Sequence, residues 1–215
     1  LPLHTNDGRS MLEYPFIQCD TAKSKLTAQV MNYRPVNEQE ETDRKLLLDW
    51  FGKSEDISVR SNLTGHLTAS AWVVTPDRKK VLMAYHKIYD SWAWLGGHAD
   101  GNWDLFQVAE KEAREESGIE ALTPVSRDPV SMEILTVTGH EKKGKYVPCH
   151  LHLNLTYLFE GSTVEHLQCK PDENSGVGWI ELNQLEAHIS PEDAAMLPVY
   201  RRIVAKYSPV CHGEA

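Results

Sequence analysis

Residues 95–120 read LGGHADGNWDLFQVAEKEAREESGIE, and the decisive feature is where this stretch carries its acids. Asp104 followed by Gln107 has the form of a helix N-cap with a capping box, and Gly118 that of a C-cap. The spacing therefore predicts a helix over 105–116. At about 100° per residue, Leu105, Val108 and Ala109 share one face, which should meet a core. Glu112, Glu115 and Glu116 fall on that same face, while Gln107, Glu110, Lys111 and Arg114 take the opposite one. Like charges at i,i+4 cost roughly 0.2–0.5 kcal/mol per pair when exposed, and more when desolvated. An acidic, solvated helix end is the plain alternative, because most charge runs are solvated faces. The glycine turn before the helix and the face shared with Leu105 and Val108 favour instead a site for a hard divalent cation, Mg²⁺ or Mn²⁺. Such ions take oxygen ligands, and in this setting they point to phosphate chemistry.

The same residues resemble a Nudix box, G-x5-E-x7-R-E-U-x-E-E-x-G-U with U aliphatic. Gly97 opens it, Lys111-Glu112-Ala113 stand at R-E-U, and Glu115-Glu116-Ser117-Gly118-Ile119 close it. Two positions depart from the pattern. Trp103 stands where the family has the loop glutamate, with Asp104 one residue on, and Lys111 stands for the arginine. In the family that pair braces the loop against the helix; Lys111 with Asp104 or Asp100 is the expected substitute, without a bidentate fork. The variant GGHADGNWD, with HLTASAWVV upstream, is similar to a bacterial Nudix group, and the resemblance covers roughly residues 60–185. It implies an α/β/α sandwich with a mixed sheet and a metal-dependent pyrophosphohydrolase. Its substrate would be a nucleoside diphosphate linked to another moiety, or a related organic pyrophosphate. By the same resemblance Glu112, Glu115 and Glu116 hold Mg²⁺ or Mn²⁺, and the Gly97 carbonyl is a further ligand. Catalytic roles fall to Glu115, Glu116 and Glu173, with Glu115 or Glu173 as the group that activates water. Glu173, in DENSGVGW, reads equally well as a turn-capping acid.

A chain of 215 residues can bury a full core. Its expected division is an N-terminal extension with a helix (1–58), the Nudix domain (59–207) and a tail (208–215). The net charge of −9 argues against nucleic acid or an anionic membrane as a partner, though a bound metal can locally reverse the sign for a small diphosphate. No apolar run approaches the ~20 residues of a membrane span. The start, LPLHTNDGRS, lacks the pattern of a secretory signal, and Cys19, Cys149, Cys169 and Cys211 form no CxxC pair. A cytoplasmic monomer or homodimer with free thiols is the expectation. Residues 37–51 read as a helix with Leu46, Leu47 and Trp50 inward. Strands are predicted from Gly65, over KVLMAYH after a Pro76-Asp77 turn, within 123–138, over VPCHLHLNLTYLFE and at 178–180. HEKKGKY (140–146) is a basic hairpin loop, and helices are expected over 182–188 and 191–206.

Four histidines form a second group. His150 and His152 are i,i+2 on one predicted strand and project from the same face. His98 follows the glycine turn, and His66 begins the first strand. Singly each reads as a surface or hydrogen-bonded core residue; converging, they would hold a transition metal or the substrate phosphate. Isopentenyl-diphosphate isomerases, which share the fold, resemble the chain at His66 and His98, both metal-binding positions there, and carry paired glutamates near His150 and His152. Gly96 stands where the isomerases place their catalytic cysteine, so that chemistry is disfavoured. Trp103, Lys87 and Lys111 are candidate substrate contacts, whereas Trp72, Tyr85, Trp92 and Trp94 read mainly as packing. A non-catalytic nucleotide-binding module is the rival from another class, drawing on Lys111 and Trp103.

Overall fold

Alternation along 65–74 separates Leu67, Ala69, Ala71 and Val73 from His66, Thr68, Ser70, Trp72 and Val74, and the strand they form organises the sheet. In the computed structural model, which describes residues 21–53, 56–86, 90–142, 144–171 and 174–207, this strand is β1 (Gly65–Val74). It runs parallel to β9 (His150–Glu160), from Gly65 opposite Leu151 to Val74 opposite Glu160. Its other edge is shared. β2 (Lys80–His86) pairs antiparallel near Val73, and β4 (Leu95–His98) pairs antiparallel with Thr68–Ala71. β3 (Ser91–Ala93) and β10 (Asn174–Glu181) pair with β2, while β5 (Thr123–Pro124) and β6 (Ser131–Val137) pair with β9, completing an eight-stranded mixed sheet. β7 (His140–Lys142) and β8 (Lys145–Val147) form a separate hairpin at the predicted basic loop.

Both faces are covered. Leu67, Ala69, Ala71 and Val73, with Leu153, Leu155, Tyr157 and Phe159, pack with Leu105, Val108, Ala109 and Ala113 of α3 (Leu105–Ser117). The same cluster takes in Leu26 and Val30 of α1 (Thr21–Asn32) and Leu47 and Phe51 of α2 (Glu38–Phe51). Trp72, Val74 and Leu158 pack with α4 (Leu185–His188) and α5 (Leu197–Tyr207), where Trp72 Nε1 donates to Tyr207 Oη at 2.9 Å. Each fully buried large side chain contributes about 1.5–3 kcal/mol. The fold is the expected α/β/α sandwich around a mixed sheet. No helix among the described residues is long and apolar enough to cross a membrane.

Several elements differ from the sequence expectation, each for a physical reason. α1 was not anticipated, because TAKSKLTAQVMN offers only Leu26 and Val30 as buried anchors, one turn apart. In α2 Asn37 caps Glu40 N and Leu47 is buried, but Leu46 is 44% exposed, one residue round the helix from the inward stripe. The predicted helix over 191–206 is a 3₁₀ segment (Pro191–Met196) followed by α5. Pro198, which has no N–H, sits in the first turn of the latter, where none is needed. Residues 182–188 likewise divide into a 3₁₀ turn and α4. Residues 1–20 and 208–215, including Cys19 and Cys211, lie outside the described residues; Cys149 and Cys169 are free thiols.

An ionic network joins α2, β6 and α5. Arg202 lies 2.8 Å from Glu133 and 2.9 Å from Glu40, and Lys206 Nζ lies 2.6 Å from Glu40; both carboxylates are fully buried. Asp43 accepts the Ile134 backbone N–H at 3.1 Å, so α2 covers a group on the edge strand β6 that no strand among the described residues pairs. On the sheet face shared with Trp72, Thr68 and Ser70 hydroxyls donate to Asn154 Oδ1 at 3.0 Å, and Asn154 Nδ2 donates to Glu133 at 3.3 Å. This polar ladder continues from the ionic network toward the histidines.

Candidate functional site

α3 carries the three box carboxylates, and its ends are set by local chemistry. Asp104 accepts from Gln107 N, and Gly118 closes the helix at φ 71°, a left-handed conformation that suits glycine. The helix runs from Leu105 to Ser117, one residue beyond the expected end. The carboxylates are graded in exposure. Glu116 is 1% exposed, the Glu112 side chain 14% and the Glu115 side chain 42%. Glu116 Oε2 accepts the Gly96 backbone N–H at 2.9 Å, and Asn174 Nδ2 donates to its other oxygen at 3.4 Å. Asn174 is fully buried and begins β10, placing that strand against the acid; the sequence reading did not include it.

The two glycines of β4 are there because of close approach. A Cβ on Gly97 would lie 2.6 Å from Glu112 Cδ, so Glu112 lies across the bare Gly97 backbone. A Cβ on Gly96 would lie 2.6 Å from the Ala69 carbonyl oxygen and 2.9 Å from Ser70 Cα, both backbone atoms of β1. The two positions should therefore respond differently to alanine. Gly96→Ala is expected to cost about 1–3 kcal/mol, because a paired strand cannot move aside, whereas Gly97→Ala displaces only a side chain. Urea unfolding of both variants measures the difference; equal midpoints would contradict it.

Lys111 takes neither of its expected partners. Its ammonium reaches Glu115 at 3.0 Å and Glu112 at 3.3 Å, and Lys170 adds a weaker approach to Glu115 at 3.9 Å. The brace on the loop before α3 is supplied from elsewhere. Both Arg60 side-chain nitrogens Nε and Nη2 donate to the Asp100 carboxylate, and Gly101 N donates to Ser58 O at 2.9 Å. This is a bidentate fork of the kind a lysine cannot make, supplied by an arginine forty residues before its partner. Trp103 does not face open space. It is half-buried, edge-on to Phe51 with ring centroids 6.1 Å apart, and the Lys23 ammonium lies 5.1 Å over its ring. These neighbours belong to α1 and α2, so part of the ring is engaged in packing. Glu173 and Lys87 lie outside the described residues.

The histidines converge. Parallel pairing sets His66 directly beside His152, and antiparallel pairing sets His98 opposite Thr68, so all three share one face of the sheet. One nitrogen from each of His66, His98 and His152 lies within 4.8 Å of those of the other two. His150 stacks on His66 at 4.8 Å, and its Nε2 is 3.2 Å from His152 Nε2. Burial, reinforced by Arg60 and by the neighbouring imidazoles, lowers His98 to about 3. Burial, with His98, His66 and His150 beside it, lowers His152 to about 2. Burial also lowers His66. All three rings are therefore neutral near pH 7. Gly97 faces Glu112 while its neighbour His98 faces the imidazoles, so the two groups lie on opposite faces of the sheet.

Chemically, the carboxylate group offers oxygen ligands suited to a hard cation, and the imidazole group offers neutral nitrogens suited to a softer one. Residues 64–203 match the NUDIX domain family. Similar solved structures include a C. elegans Ap4A hydrolase binary complex (23% identity, 65% of this chain and 95% of that chain, TM-score 0.47). Others are a Nudix hydrolase from M. Smegmatis (18%, 68% and 90%, 0.47) and a NUDIX-family hydrolase from Clostridium perfringens (20%, 64% and 95%, 0.46). No curated protein matches the chain. With the family match covering well over half of its length, the chain belongs to the NUDIX domain family.

Proposed function

We propose that the chain hydrolyses the diphosphate linkage of a nucleoside diphosphate joined to another moiety, or of a related organic pyrophosphate, with Mg²⁺ or Mn²⁺ as cofactor. The observation that carries this reading is Glu116, a carboxylate 1% exposed on the helix that also bears Glu112 and Glu115, with one oxygen accepting the Gly96 N–H and Glu112 lying across the bare Gly97 backbone. Glu112, Glu115 and Glu116 would hold the ion, with the Gly97 carbonyl as a further oxygen. The ion would neutralise charge that develops on the diphosphate oxygens. Glu115, exposed and reached by two lysines, would be the group that orients water, with Glu173 as the alternative the sequence offers. Lys111 sits where it can shift from the carboxylates to a substrate phosphate.

A nucleotide-binding module without turnover is the second reading, favoured by Lys111 neutralising two of the three acids. A panel of NDP-sugars, dinucleotides, oxidised nucleoside triphosphates and CoA, assayed with Mg²⁺ and with Mn²⁺ by coupled phosphate release, separates the two. Metal-dependent release from one class supports hydrolysis. Tight ligand binding with no release across the panel supports the module.

A further inference from the structure

His66 is 4% exposed, and its Nε2 has no hydrogen-bond partner among the described residues. A buried polar nitrogen left in that state normally costs about 1–3 kcal/mol, so its surroundings should supply a partner. Its tautomer follows from the other ring nitrogen. Nδ1 lies 3.0 Å from Asn62 O, and a carbonyl only accepts, so Nδ1 carries the proton and Nε2 presents a lone pair. The same logic runs through the neighbouring rings. His150 Nδ1 lies 2.8 Å from Pro148 O and is protonated, which leaves His150 Nε2 as an acceptor. The 3.2 Å contact between the two Nε2 atoms then requires the proton on His152, and frees His152 Nδ1 as a lone pair. Imidazoles that donate one N–H to a carbonyl or a fixed acceptor while keeping the other nitrogen bare are in the state of metal ligands, with their orienting partners already in place.

We propose that His66, His98 and His152 form a binding site for one divalent transition ion, Zn²⁺ or Fe²⁺ rather than Mg²⁺, on the sheet face opposite the carboxylate helix. His150 is a positioning residue that holds the His152 ring. Three neutral nitrogens from three strands select a borderline-soft cation, since Mg²⁺ requires oxygens. Two nitrogens on a tetrahedral zinc, each about 2.0–2.1 Å from the ion, stand roughly 3.3 Å apart. The present spread of up to 4.8 Å means the rings draw in as the ion enters. With three protein ligands the fourth position stays open to water or an exogenous ligand, the arrangement of reactive rather than structural sites. The Arg60 guanidinium, one of the cations whose charge acts on His98, is paired with Asp100.

The test uses the full chain after treatment with a chelator, titrated with Co²⁺ and followed by visible absorption. One equivalent should produce the intense bands of a four-coordinate, nitrogen-ligated ion; Zn²⁺ should displace it, and millimolar Mg²⁺ should not. His66→Ala, His98→Ala and His152→Ala should each weaken Co²⁺ binding by at least about 10²-fold, with circular dichroism reporting the fold. A double variant, Glu112→Gln with Glu116→Gln, should keep the bands while losing hydrolysis, which separates this site from the proposed active site. Absence of the bands in the wild-type chain overturns the proposal, whatever the variants do. So does their persistence in His152→Ala, their loss only in the glutamate variant, or a shift of imidazole NMR signals with inorganic phosphate but not with Zn²⁺.

Discussion

Glu116→Gln is expected to lower kcat for diphosphate hydrolysis by about 10²–10³-fold or more while leaving the fold intact. The substitution keeps the shape of the side chain and one oxygen to accept the Gly96 N–H, and it removes the negative charge that would hold the ion. Stability should change little, because the variant relieves repulsion among Glu112, Glu115 and Glu116 and places a neutral amide beside Asn174, whose own amide can turn to match it. Steady-state kinetics at saturating Mg²⁺, with thermal unfolding of the same preparation, measure both halves. A variant that turned over normally would remove Glu116 from the chemistry. One that unfolded would make it a structural acid.

Arg202→Ala should produce the largest loss of stability in the molecule, about 3–5 kcal/mol by urea unfolding. Arg202 faces Glu40 and Glu133, both fully buried; Glu40 keeps Lys206, whereas Glu133 keeps, among the described residues, the neutral partners Ser131, Asn154 and Thr156. Burial already raises the Glu133 carboxyl, with Ser131 and Arg202 opposing it, and loss of the cation would raise it further. A carboxyl whose folded pKa lies above its unfolded value of about 4.3 destabilises the fold at neutral pH. The penalty shrinks as pH falls through the folded value, because the proton then replaces the cation. The deficit of Arg202→Ala should accordingly narrow on acidification, and Arg202→Met combined with Glu133→Gln should recover much of it. A deficit under about 1 kcal/mol would mean the network adds nothing.

The features legible in the sequence are those written locally. The span of α3, its Asp104 and Gly118 caps and its apolar stripe depend on neighbours within four residues, and they were readable for that reason. The common face of His150 and His152 follows from strand alternation alone. What could not be read depends on register between distant strands or on weakly patterned helices. Parallel pairing of β1 with β9 is what sets His66 beside His152, and no local signal encodes that offset. The packing of Trp103 against Phe51 and under Lys23 is not legible because α1, the helix carrying Lys23, has too few apolar residues to declare itself. The Arg60–Asp100 brace was missed because a pairing forty residues apart leaves no mark on either segment. Asn174 is an ordinary strand residue until β10 is docked against α3.

β4 is four residues long, yet it has one residue committed to each side: Gly97 under the glutamate helix and His98 among the imidazoles. Strand geometry makes that assignment indivisible. Insertion or deletion of a single residue between Leu95 and Gly97 would turn the ribbon over. It would present an imidazole to the acids and a bare backbone to the nitrogen cluster, disabling both pockets in one event. The length of this short ribbon is therefore more tightly constrained by geometry than the identity of most residues around it.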